Sequence, residues 1–190
     1  MHAFDYIITL LSFVYALAIA HLLATVAELV RARRRVRFSW LNAAWMLVGV
    51  LTLVAWWIGM WDMRGLSAWS TPMIGFLFVV AFALYLQIRF TCPDVPAEGE
   101  VDLPAFHRRN GRDYIAAFAI VAAMTVAANI LFGEITSVRE MIVQNLAVAP
   151  MLVIAVIAAT SFRPWVQAGA AIVELLLWGW YFATLQSALT

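Results

Sequence analysis

The charged residues of this chain fall in clusters, and long apolar runs separate them. Runs free of Asp, Glu, Lys and Arg cover Tyr6–Ala27, Phe38–Trp61, Gly65–Ile88, Tyr114–Gly133 and Met141–Phe162. A sixth, Trp165–Gln186, is interrupted by Glu174 alone. A helix of about 20 apolar residues crosses a hydrocarbon layer of about 30 Å. The pattern therefore predicts six transmembrane helices, over about 4–30, 38–61, 72–90, 113–133, 140–162 and 165–187. None of the runs alternates with period two, and an open strand edge cannot satisfy its backbone in lipid, so spanning strands are excluded. The expected fold is an all-α integral membrane protein, a bundle of six helices in one polytopic domain over residues 1–190.

Short connections predict that successive helices are antiparallel neighbours. The long connection, 91–112, reads as a cytoplasmic loop. Its first half carries Pro93, Asp94, Pro96, Glu98 and Glu100. Its second half, Asp102–Arg112, reads as a short juxtamembrane helix, with Asp102 as N-cap and Pro104 in the first turn. The loop divides the chain into three helices plus three. Asp5-Tyr6-Ile7 opens the first half and Asp113-Tyr114-Ile115 the second. Halves of three helices have opposite topology, so a 3+3 inverted repeat is the expectation this tripeptide raises.

Composition sharpens the class. The 190 residues are 65% hydrophobic and 12% charged, whereas a soluble domain is about half apolar and about one-quarter charged. A soluble globular chain and a disordered one are excluded, and a net charge of +1 argues against a nucleic-acid partner. The single Cys92 excludes an intramolecular disulfide and a four-thiolate metal site. All 12 basic residues are arginine, which, with the abundant alanine, points to GC-rich coding and a bacterial source. The N-terminal Met-His-Ala-Phe-Asp lacks the basic region of a cleavable signal peptide.

The arginines orient the chain. Arg31, Arg33, Arg34, Arg35 and Arg37 follow the first run, Arg89, Arg108, Arg109 and Arg112 flank the long loop, and Arg163 lies between the last two runs. Arg64 and Arg139 fall on the other side. The positive-inside rule places the larger group in the cytoplasm and both termini outside, in a bacterial inner membrane. Arg33, Arg34, Arg35, Arg108 and Arg109 are candidates for contact with anionic lipid.

Polar residues at membrane depth are the candidate site. Glu174 stands near the middle of the sixth run, and an intramembrane carboxylate is a functional hypothesis in itself, as a proton carrier or cation ligand. Gln167 lies seven residues before it and Tyr181 seven after, with Ala170, Ala171 and Trp178 on the same helical face. His21 falls at a similar depth in the first run, so a His21–Glu174 pair that relays a proton is expected if those helices touch. Asn42, Trp45, Gly49, Thr52, Trp56 and Gly59 recur at steps of three and four in the second run and define a face that is either a packing seam or a cavity wall. Pro150 should kink the fifth helix beside Gln144 and Asn145, with Asn129 and Thr125 in the fourth. Trp40, Trp61, Trp69 and Trp165 fall at the interfaces as an aromatic belt. Trp56, Trp57, Trp178, Trp180 and Tyr181 lie deeper and could line an outward-facing pocket for a small apolar or cationic ligand.

The sequence carries none of the protease, hydrolase, nucleotide or dinucleotide motifs, and no cofactor or metal is implied. An enzyme acting on lipid through His107 and the loop arginines ranks last. The leading expectation is a small-solute transporter, channel or solute-binding subunit with a proton-titratable Glu174. The alternative is a non-catalytic accessory or scaffold subunit, docking through the glycine-bearing face of the second helix. A homodimer or a partner membrane subunit is expected in either case.

Overall fold

The computed structural model describes residues 3–66, 69–133 and 136–188. Seven α-helices occupy them: α1 (Ala3–Arg31), α2 (Trp40–Gly59), α3 (Thr71–Thr91), α4 (Leu103–Phe132), α5 (Val138–Asn145), α6 (Val148–Thr160) and α7 (Pro164–Ala188). The all-α expectation holds. α1, α2, α3, α4 and α7 are each long and apolar enough to cross a membrane, and α5 with α6 makes a sixth such element if the bent pair counts as one.

Local chemistry explains the helix starts. Ser39 and Ser70 accept bonds from the amides of Asn42 and Met73 at the heads of α2 and α3, each satisfying a donor that has no partner inside the helix. Asp102 accepts from Ala105 N at 2.8 Å, with a proline in the first turn of α4. The N-cap is as expected, but the short helix it opens does not stop at Arg112. It runs on into the fourth apolar run as one 30-residue helix. Nothing between Arg109 and Tyr114 breaks it, because Gly111 keeps helical geometry and its missing side chain admits the Phe162 ring, whose Cζ would lie 3.0 Å from a Cβ there.

The bend expected at Pro150 lies elsewhere. α5 and α6 meet at 56° across Leu146–Ala147, and Pro150 sits in the first turn of α6. A proline cannot donate to the carbonyl four residues back, and its ring clashes with it. That carbonyl belongs to Leu146, so the interruption falls one turn before the proline.

α1 packs chiefly on α3, and only lightly on α2. From α3 the packing continues to α4, α6, α7 and α2, and α2 closes on both α3 and α4. Most successive helices are thus neighbours, and α1 touches α2 far less than it touches α3. The halves do not pack alike. α1 lies along α3, but α4 lies along α6 rather than α7, which counts against the 3+3 inverted repeat. One core centres on Leu11, Leu77 and Leu84 between α1 and α3, the other on Trp45, Phe118 and Ala155 among α2, α4 and α6.

The loops at the arginine-rich end are tied together. β1 (Val36–Arg37) pairs in parallel with β2 (Val101–Asp102), matching Val36 with Val101 and Arg37 with Asp102. Arg37 reaches Asp102 at 2.8 Å. Arg35 donates to the carbonyls of Gly99 and Pro96 at 2.7 and 2.9 Å.

Candidate functional site

The polar and small stripe of α7 is present as a buried face. Gln167, Ala170, Ala171, Glu174 and Trp178 are all buried, and Glu174 is 0% exposed. Neither of its carboxylate oxygens has a hydrogen-bond partner among the described residues. A buried carboxyl without partners is costly in any packed interior, so its retention here calls for a reason.

Above Glu174, toward the end opposite the arginines, lies a cavity of about 510 Å3 among α2, α4, α6 and α7. Trp178, one turn beyond Glu174 and about 6 Å along the axis, lines its deep part with Phe118 and Met151. Tyr181 lines it higher up, as do Trp56 and Gly59 of α2. The indole of Trp56 donates to Thr125 Oγ1 at 3.1 Å, fixing both side chains on adjacent walls. At the mouth, Asn129 Nδ2 donates to Gln144 O and to Asn145 Oδ1, both at 3.2 Å. These bonds pin the end of α4 to the break between α5 and α6. Among the described residues, no side chain lining the cavity carries a formal charge.

Several sequence-predicted residues are not brought to this place. His21 and Glu174 do not pair. α1 packs on α3 and α2, α7 on α2 and α6, and no hydrogen bond reaches His21 Nε2 or Glu174. Equal depth fixes height in the bundle but not direction. Gln167 is a structural clamp instead, donating to Ala158 O at 2.6 Å and Ser161 O at 3.0 Å across the α6–α7 turn. Asn42 is fully buried and donates to Thr91 O at 3.1 Å, joining α2 to the end of α3. Trp57 and Trp180 are 55% and 43% exposed and point away from the cavity, so the aromatic pocket keeps Trp56, Trp178 and Tyr181. Arg35 is spent on loop carbonyls, while Arg33, Arg34, Arg108 and Arg109 stay exposed.

The polar face of α2 is both things that its spacing allowed. Near the arginine end it is a seam, with Gly49 so close to Ile88 that a Cβ would sit 2.8 Å from Cδ1. Farther along, Thr52, Trp56 and Gly59 become cavity wall. At Gly49 the seam is filled from within the chain, by Ile88.

The structure moves His107 from the surface role expected of it into the interior, and it adds Gln87, which the sequence reading passed over. His107 is 5% exposed, hydrogen-bonded through Nδ1 to the Tyr114 hydroxyl and stacked on Phe162 at 6.0 Å. It is a packing residue, unavailable to a lipid substrate at the surface. Gln87 is buried on α3, facing Gly49. As the one amide in its run, four residues before Thr91, it was the available signal.

No protein-family model matches this chain, and no curated protein or solved structure shows significant similarity to it.

Proposed function

We propose that the protein spans a bacterial inner membrane six times, with the arginine-rich loops in the cytoplasm, and that its outward cavity binds a small uncharged, mostly apolar solute for uptake or sensing. The observation that carries this reading is the cavity of about 510 Å3, within the range of about 300–1,000 Å3 usual for small-molecule sites. Its aromatic and aliphatic walls suit an apolar body, and the amides at the mouth suit one polar end. The described lining residues carry no formal charge, which favours a neutral ligand over the cationic one, since an ion among them would lose its hydration without gaining a counter-charge. Glu174 lies beneath the deep end and exchanges a proton as the solute comes and goes. The bent α5–α6 pair counts as the sixth span, with Arg64 and Arg139 at the outer face.

The test uses purified protein in nanodiscs and three naphthalene probes of matched size: neutral 2-naphthol, anionic 2-naphthoate and a cationic naphthyl trimethylammonium. Gly59 lines the cavity and has no described atom within 4 Å of an added Cβ, so Gly59→Leu is the change chosen to fill it. Saturable quenching of tryptophan by 2-naphthol that Gly59→Leu abolishes, and a pH dependence that Glu174→Gln removes, are expected. Equal saturable binding in wild type and Gly59→Leu would overturn the site. Tighter binding of the cation would overturn the ligand class.

A further inference from the structure

The light contact between α1 and α2 leaves a second hollow, at the arginine end. It has a volume of about 320 Å3. Val26, Leu29 and Val30 of α1 form one wall, and Ala43 and Met46 of α2 form the other. Arg33 stands at its rim. Arg33 is exposed and has neither an ion pair nor a hydrogen bond among the described residues, whereas the neighbouring Arg35 and Arg37 are both engaged with the long loop.

We infer that this groove seats one acyl chain of an anionic phospholipid, with the headgroup phosphate on Arg33. The argument rests on the reading of the chain as membrane-spanning, but not on the outer cavity or its solute. An aliphatic slot between two spans excludes water and fits a hydrocarbon tail. A guanidinium held at its mouth, at headgroup level, supplies a forked donor for phosphate oxygens. The charge decides the class of lipid. A zwitterionic headgroup brings its own cation to the rim, so it gains little from Arg33, whereas a net negative headgroup gains the full attraction. The bound lipid would also add to the packing of α1, which otherwise rests chiefly on α3.

Native mass spectrometry of the full chain, released from mixed micelles containing phosphatidylglycerol and phosphatidylcholine at equal amounts, tests the assignment. One phosphatidylglycerol should be retained in preference to phosphatidylcholine. Arg33→Gln, a change at an exposed position, should lower that preference about fivefold, the worth of one arginine near a membrane surface. Ala43→Leu, which fills the slot, should lose the retained lipid of either kind. Thermal unfolding in detergent alone confirms that both variants are folded, and added phosphatidylglycerol should raise the midpoint of wild type more than that of either variant. Equal retention of the two lipids by wild type would overturn the proposal. So would full phosphatidylglycerol preference in Arg33→Gln, full retention in Ala43→Leu, or equal stabilisation by inorganic phosphate, which has no chain to seat. None of these outcomes bears on 2-naphthol binding at the other end, so the two readings fail separately.

Discussion

The two ends of this bundle are built on opposite principles. Toward the arginine end α2, α3 and α4 close on one another, and the groove described above lies beside them, between α1 and α2. Trp45 is 2% exposed, with its ring 5.8 Å from that of Phe118, Gly49 lets Ile88 in, and the Asn42 amide bonds α2 to the end of α3. At the opposite end the same helices part around a hollow, and the polar groups there tie walls together without filling the space. α2 takes part in both. Its face changes from seam to wall between Gly49 and Thr52, within one turn. The lesson is that a single helical stripe of small and polar residues does not have one meaning; its neighbours decide, position by position, whether it is filled.

Paired substitutions break or sharpen that contrast. The largest difference is expected between two tryptophans of α2. Trp45→Ala empties a packed site and should cost about 3–5 kcal/mol, seen as a large fall in the unfolding midpoint or loss of monodisperse protein. Trp57→Ala, at an exposed position, should shift stability by about 0.5 kcal/mol or less. Equal losses would mean that the tight end is not tight.

Two glycines of the same helix should respond with opposite sign. Gly49→Ala forces Ile88 aside and should destabilise by about 1–3 kcal/mol. Gly59→Ala meets nothing and should stabilise by about 0.5–1 kcal/mol through reduced freedom of the unfolded chain. Thermal unfolding of the two variants side by side reads this directly, and a destabilising Gly59→Ala would contradict open space there.

The smallest effect concerns Cys92, just past the end of α3. Burial pushes its thiol up to about 11, against smaller opposing effects of Thr25 and Arg89. At pH 8 it is a neutral thiol in the fold, so maleimide should label it only as the protein unfolds. The stability gained by keeping it neutral is complete below the ordinary thiol value and is lost as the pH climbs toward 11. Rapid labelling of folded protein at pH 8 would place Cys92 outside the packed end.

Much of this was legible in the residues. Five of the six apolar runs became single long helices and the other the bent α5–α6 pair, Asp102 marked the start of α4, and the α7 stripe was readable from its spacing alone. What the sequence could not supply was azimuth. His21 and Glu174 share a height, but no pattern on α1 says that it turns to α3. Trp57 and Trp180 stand beside pocket residues in sequence and face away in space, because adjacent helical positions differ by about 100°. The bend lay one turn from Pro150 because the affected carbonyl, not the ring, is where the ladder fails.

The parallel pairing of Val36 with Val101 also constrains how the chain is made. α2 and α3 lie wholly between the two paired segments, so the ladder closes only after both have been synthesised. On the six-span reading proposed above, the two helices form a hairpin that returns the chain to the side it left, and a crossing by only one of them would strand residue 101 on the far side. On that reading the four-residue ladder, with Arg35 gripping the carbonyls beside it, forms only when α2 and α3 insert as a pair.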